Sequence, residues 1–416
     1  MIRIKNNPSI NKQSRVELLD IFRGIAIFGI FVVNIEIMNC TFFNQAEFSG
    51  QWTAPIHQLS VRILQLFFYS KFFPIFSFLF GVGIAMQALK GQENKRFSLA
   101  FFIRRMLFLF ILGVFHIVFL WSGDVLHLYA LLGLLTLLLL KIPNQWLVFS
   151  SILLLLFPFY DQIAELLFNA LNFSPASFLE GYSSQGIINT IRSGAYYEGM
   201  KLRLLEYAAN VPVLFVFLAP VALSMFLLGI YFGKKKFVYS IDSCVDKIKR
   251  PAIAIAIVSN AYRLLFLFVL PDIEIYSNES IRPFFFKLMF LSDVAMGLFY
   301  LWFISWLIRF SFWRNLFSPL KFVGQMALSN YLMHSLIGLI LFSSVGLKLY
   351  QTLSPTATLL VSIGVFGFQV VFSRAWLFYF NYGPLEWVWR CFSYKRWLPI
   401  RKSVVSANRF RLLRKS

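Results

Sequence analysis

Apolar residues fall along this chain in long runs separated by short polar stretches, and the run length decides the class. Runs of about 20 residues occupy 21–38, 72–89, 101–121, 125–140, 146–160, 211–232, 252–270, 284–308, 322–345 and 357–380. An α-helix of that length, rising about 1.5 Å per residue, crosses the ~30 Å hydrocarbon core of a bilayer. The pattern predicts an all-α, polytopic transmembrane helical bundle of about ten spans. Between 55 and 69 apolar residues mix with His57, Gln58, Arg62 and Gln65, which predicts an amphipathic helix lying in the interface ahead of the second span. The polar stretch 161–210, with GYSSQG and RSGAYYEG as turns, predicts short helices on the outer face. Four regions follow: an N-terminal membrane half (1–160), an external loop region (161–210), a C-terminal membrane half (211–394) and a basic tail (395–416).

Composition agrees: 59% of residues are hydrophobic and 14% charged, against about half and a quarter in soluble domains. The net charge of +21 changes the picture only through its placement. Lys and Arg gather at 90–105, 234–250, 309–321 and in the tail, while 39–59 carries none. By the positive-inside rule both termini are cytoplasmic and 39–59 is external. The expected partner of the basic face is a bilayer with anionic lipids. No nucleic-acid partner is expected, because the charge forms no stripe on a soluble domain. The first apolar run lacks a small-x-small cleavage site, so it reads as an uncleaved span. Cys40, Cys244 and Cys391 lie far apart and read as unpaired, with no metal site among them.

Candidate chemistry gathers at the hairpin 104–133, RRMLFLFILGVFHIVFLWSGDVLHLYALLG. Ionisable groups this close to apolar spans are costly, yet His116, Asp124 and His127 all occur here. Asp124 and His127, three apart, face each other at a helix start. A carboxylate holding one imidazole nitrogen orients the other as a base. The competing reading is a capped turn with ordinary polar residues. Asn34, Glu36 and Lys71 stand at the same expected outer side. Arg105 and His116 are eleven residues apart, as are Arg23 and Asn34, so each pair shares a helix face. Arg23 and Arg105 suit a phosphate-bearing donor or, equally, serve as positive-inside anchors. Deeper lie Arg263, Asp293 and His334, read either as a structural ion pair with a separate histidine or as a buried polar path. No HExxH, P-loop or GxSxG motif occurs, which argues against zinc and nucleotide-hydrolysing mechanisms.

LLDIFRGIAIFGIFVVNI (18–35) and WSGDVLHLYALLG (121–133) resemble the N-terminal half of the YeiB-like family of bacterial membrane proteins. FVGQMALSNYLMHSLIGLILF (322–342) and FNYGPLEWVWRCFSY (380–394) resemble the C-terminal domain of unknown function that defines that family. The resemblance implies a multi-pass protein of the bacterial cytoplasmic (inner) membrane. It also implies a distant relation to transmembrane acyltransferases, which move acyl groups from cytoplasmic donors to envelope glycans. Those enzymes carry D-x-x-R, matched by Asp20 and Arg23, and a histidine eleven residues on, where this chain has Asn34. A branch similar to heparan-glucosaminide acetyltransferase is also Asn-bearing there and places its histidine in the next outer loop. His57 occupies that loop here, in surroundings that do not match. The expectation is therefore an acyltransferase with His127 as base, Asp124 orienting it and His116 assisting. Arg23, Asn34, Glu36, Lys71 and Arg105 would bind substrates. The donor would be acyl-CoA-like, with no bound cofactor, and the acceptor a glycan or lipid-linked molecule. The rival expectations are a transporter or flippase using Arg263, Asp293 and His334, and a non-catalytic envelope component.

Overall fold

A computed structural model describes residues 12–93, 98–237, 241–279 and 281–402. Residues 1–11 and the tail from 403 onward lie outside the described residues. Helices occupy all ten expected segments: α1 (Lys12–Asn39), α2 (Pro55–Phe67), α3 (Phe72–Glu93), α4 (Leu99–Phe119), α5 (Leu126–Leu139), α6 (Asn144–Leu156), α7 (Tyr160–Ala170), α8 (Tyr196–Ala209), α9 (Ala219–Lys234), α10 (Lys249–Phe268), α11 (Arg282–Leu307), α12 (Ala327–Phe342), α13 (Pro355–Tyr379) and α14 (Pro384–Tyr394) include them and the helices between. The β structure among the described residues is one isolated bridge, Phe380 to Arg401.

Among the described residues seven helices are long and apolar enough to cross a membrane, eight if α6 and α7 form one broken span. The chain is thus a multi-pass helical membrane protein by length and composition. The expected count of ten included two segments that are too short: α5 has 14 residues and α12 has 16, about 21 and 24 Å of helix. Two departures have local causes. Helix α6 stops at Leu156 and α7 leaves at 78°, because Pro158 offers no N–H and cannot continue a helix. The expected ninth span breaks at Met326 between a short helix, Leu320–Gln325, and α12. Helices α2 and α3 are separate helices that meet in a turn with Ser70 at φ 60°, and together they form one apolar stretch, Pro55–Glu93, with Ile56, Leu59 and Phe67 of α2 exposed.

Helix α1 sits at the centre. Ile27, Phe31 and Ile35 are fully buried, and two thirds of its apolar window is enclosed, against 22% for α10 and α13. Helices α3 and α9 pack backbone to backbone, since a Cβ at Gly81 would strike the Phe226 carbonyl and one at Gly229 the Phe78 carbonyl. Such small-residue contacts are how helices associate where lipid offers no hydrophobic drive. Ser98 caps α4 through the Phe101 N–H (3.3 Å), and Ser354 caps α13 through the Ala357 N–H (3.2 Å), each satisfying an orphan donor.

Candidate functional site

Helix α4 ends in one turn of polar chain and returns as α5, and Gly113 lets the two close. A Cβ there would strike the backbone nitrogen of His127 and lie 2.8 Å from Asp124 Oδ2. The hairpin therefore presses three side chains together. His127 Nδ1 lies 2.7 Å from Asp124 Oδ2, and His116 Nδ1 lies 3.0 Å from Asp124 Oδ1. The His127 backbone N–H also donates to Asp124 Oδ2, at 3.0 Å. Both readings of Asp124 thus hold at once, since it satisfies a helix-start donor and orients a ring.

One buried carboxylate facing two imidazoles fixes their tautomers. Each ring turns its Nδ1–H toward Asp124, which leaves both Nε2 atoms as acceptors. His127 Nε2 accepts from the Tyr207 hydroxyl at 2.9 Å, and His116 Nε2 from the Ser335 hydroxyl at 2.7 Å. Burial by itself would raise the Asp124 pKa, but the imidazoles on its two oxygens outweigh it and pull the pKa down to about 2. Hydrogen bonds to the charged form hold it ionised.

Beside this cluster opens a cavity of about 910 Å³. Its polar wall includes Asn34, Glu36, Asp124, Glu206 and Tyr207, and its apolar wall includes Phe68, Phe72, Phe73, Leu214 and Leu218. Neither His116 nor His127 lines it; His127 reaches it through Tyr207. The Tyr69 hydroxyl donates to Glu36. Glu206 accepts from Ser122 Oγ through Oε2 at 3.1 Å, while its buried Oε1 has no hydrogen-bond partner among the described residues. Burial raises the Glu206 pKa to about 7, against the opposing pull of Ser122 and Arg203.

The remaining candidates fall into separate places. Lys71 lies not in the cavity wall but against Asp293 (2.7 Å), whose same oxygen meets Arg263 Nε at 3.0 Å. Other donors of the cations go to backbone carbonyls at the end of α2, Lys71 to Gln65 (3.1 Å) and Tyr69 (2.7 Å), Arg263 to Gln65 (3.0 Å) and Leu66, while Arg263 Nη1 donates to Asn260 Oδ1 at 3.1 Å. Cations are favoured at a helix C-terminus, so this cluster terminates α2. His334 belongs to neither group; it stacks on Phe31 at 3.9 Å and donates from Nε2 to Gln369 Oε1 at 2.8 Å.

Arg23 and Arg105 stand at the opposite end of their helices from Asn34 and His116. Arg23 pairs with Asp20 at 2.8 Å, and Gln325 donates to the second Asp20 oxygen at 3.2 Å. The Arg105 guanidinium lies 3.7 Å from the Trp389 ring centre, and Trp389 Nε1 donates to the Arg105 carbonyl at 2.8 Å. Arg390 and Arg23 are within electrostatic reach of Arg105. In the same GPLEW segment Glu386 accepts from the Leu328 and Ser329 N–H groups (2.7 and 3.0 Å) and from Ser329 Oγ (2.6 Å), which caps α12. Burial raises the Glu386 pKa, opposed by these donors.

The chain fold therefore brings His116, Asp124 and His127 together with Asn34 and Glu36 nearby, and separates from them Lys71, Arg263, Asp293, His334, Arg23 and Arg105. Sequence reasoning missed Tyr207, Ser335, Tyr69 and the importance of Glu206. Tyr207 is 80 residues from His127 and Ser335 is 219 from His116, and no spacing rule links them.

The family model described as a protein of unknown function (DUF418) matches residues 232–396. The chain is 30% identical to Uncharacterized protein YxaH of Bacillus subtilis, over 95% of this chain and 98% of that protein. It is 28% identical to Uncharacterized protein YeiB of Escherichia coli, over 89% of this chain and 94% of that one. A protein described as an uncharacterized 39.9 kDa protein in the amylase 3′ region of Bacillus acidopullulyticus is 29% identical, with 93% and 96% covered. No solved structure matches.

Proposed function

Because the chain belongs to the YeiB-like, DUF418-containing family, whose matched relatives carry no named activity, we propose a function from the site itself. The protein is an acyltransferase of the bacterial inner membrane that loads an acceptor in the 910 Å³ cavity. Ten helices embed in the membrane, with both termini and the basic loops against anionic lipids on the cytoplasmic side. The observation that carries this reading is the relay Asp124–His127–Tyr207, which runs from a buried, ionised carboxylate to a hydroxyl in the cavity wall.

The acceptor's O–H or N–H donates to the Tyr207 oxygen, and Tyr207 donates to His127 Nε2. As the acceptor atom bonds to the acyl carbonyl carbon, its proton moves through Tyr207 to His127. The carbonyl-to-sulfur bond of a thioester donor breaks, and the departing thiolate takes up that proton. Asp124 offsets the imidazolium charge while it lasts, and His116 holds the other carboxylate oxygen in place. A positioned base of this kind contributes about 10²- to 10⁴-fold. Arg23 and Arg105, with Arg390, supply fixed cations for the phosphates of an acyl-CoA-like donor entering from the opposite end.

The test is transfer of radiolabel from acyl-CoA to hydroxyl- and amine-bearing amphiphiles by purified protein in nanodiscs. Label should reach an acceptor and should vanish in His127→Ala. Uptake of those amphiphiles into proteoliposomes without any transfer would replace this reading by transport.

A further inference from the structure

The apolar wall of the cavity is thin where it meets the outside of the bundle. Leu214 and Leu218 line the cavity from the stretch that leads into α9, and Phe290 lines it from α11. In the same stretch Phe215 and Phe217 are exposed, and Val213 is both exposed and part of the wall. One layer of side chains therefore separates cavity from surroundings here. Counted from the starts of the spans Val211–Lys234 and Arg282–Leu307, Leu218 and Phe290 lie about 10 and 12 Å along their helices. A crevice at that depth borders hydrocarbon and not water.

That layer is also loosely built. Leu214–Leu218 form a π-turn between Pro212 and Pro220. Pro220 has no N–H to give the Val216 carbonyl four residues back, so the α-helical ladder is interrupted at this point. Turns of this kind collect at functional sites. Phe217 of the turn meets Phe290 of α11 edge to face, with ring centres 5.6 Å apart. Behind this pair the apolar surface continues through Ile30 of α1 and Phe72 and Phe73 of α3, and the polar wall with Tyr207 belongs to the same cavity.

We propose that the ligand of this cavity is a membrane lipid that enters sideways, its chain passing between Phe217 and Phe290 to lie against Ile30, Phe72 and Phe73 while its headgroup meets the polar wall at Tyr207. The proposal rests on the reading of this cavity as the acceptor site and makes the acceptor a lipid of the surrounding leaflet. Swinging the two phenylalanine rings apart breaks no hydrogen bond. In hydrocarbon the rings exchange contact with each other for contact with lipid chains, which are equally apolar, so the seam opens at small cost.

The test is photolabelling, with no turnover required. Purified full-length protein is placed in nanodiscs containing a phosphatidylethanolamine with a diazirine midway along one acyl chain, irradiated, and mapped by mass spectrometry. Label should appear on Phe72, which is buried behind the seam, and on its neighbours Ile30 and Phe73, as well as on the exposed Phe217. Label confined to exposed residues of the wild-type protein would overturn the proposal without any variant having to fold. The route is tested with Phe217→Cys/Phe290→Cys, bridged by a reducible bifunctional thiol reagent before the labelled lipid is added. Bridging should remove most of the inner label and reduction should restore it. Undiminished inner label in the bridged protein would place entry at the aqueous mouth and overturn the sideways route. Inner label in a protein that transfers no acyl group would leave this inference standing and remove the acyltransfer reading. Acyl transfer to a water-soluble acceptor, with label confined to exposed residues, would do the reverse.

Discussion

Asp124 and Asp293 are both buried and each meets two basic side chains, but they serve opposite ends. Asp293 faces Lys71 and Arg263, whose other donors end on the carbonyls that finish α2 and on Asn260 Oδ1. The recorded donors of both cations end within the protein. Asp124 faces two imidazoles whose outer nitrogens point to hydroxyls, one of them in a cavity wall. The cluster with permanent charges is closed and structural. The cluster with titratable partners is open toward a cavity and can pass a proton. A buried ion pair is therefore a poor guide to function until the far side of each partner has been followed.

The comparison breaks most visibly at Asp293. Asp293→Ala leaves two buried cations without their carboxylate, and such losses cost about 3–5 kcal/mol. The expected outcome is a sharp fall in melting temperature or in yield of folded protein, read by fluorescence-detected size exclusion. A variant that melts normally would make that cluster dispensable. At the other aspartate the effect should fall on activity. His127→Ala should lower acyl transfer by about a hundredfold or more, with a loss of stability of about 1–3 kcal/mol, smaller than that at Asp293. Asp124→Asn should match it, because an amide no longer selects the Nδ1–H tautomer.

A pH series sharpens the contrast further. The Glu206 carboxyl titrates near 7 when folded, above its ordinary value, so the folded state holds a proton that the unfolded state has already lost. Stability from this group is full below about 4.5 and drains as pH rises through 7, by at most about 3 kcal/mol. Asp124, held down at about 2, acts in the other direction: its contribution is present above about 4 and is lost as pH falls toward 2. The groups facing Glu206 are Ser122 from the hairpin turn and Arg203 from its own helix, and its charge reaches Tyr350. Melting temperature should therefore decline from pH 5 to 8, and Glu206→Gln should flatten that decline. An unchanged slope in the variant would assign it to another group. The smallest effect belongs to Ser335→Ala, which deprives His116 Nε2 of its partner and should cost about 1 kcal/mol, seen as a modest loss of transfer rate.

Much of the bundle was legible because hydropathy and length carry it: each of the ten apolar runs holds a helix. Legible too was the Asp124–His127 contact, a three-residue spacing at a helix start, and the Arg263–Asp293 pair, matched by depth on adjacent spans. The rest depended on geometry that spacing does not encode. Lys71 stands between two residues of the cavity wall, Ser70 and Phe72, yet its ammonium turns to Asp293. Glu206 and Tyr207 stand near the end of a helix in a stretch expected to form short helices on the outer face, and only the packing of α8 against the hairpin gives them a role. Nor did the composition of α2 reveal that its C-terminal carbonyls are met by Lys71 and Arg263.

The shortness of α5 and α12 has a consequence for the lipid itself. These helices carry His127 and Ser335, and at about 21 and 24 Å they fall short of ~30 Å of hydrocarbon. The bilayer beside them must thin, or water must reach below the headgroup plane, at a modest cost per ångström of mismatch. The proton relay would then sit in a dimple of the membrane. Acyl-chain length of the surrounding lipids, varied across reconstituted bilayers, becomes a control on how far an acceptor must descend to meet Tyr207.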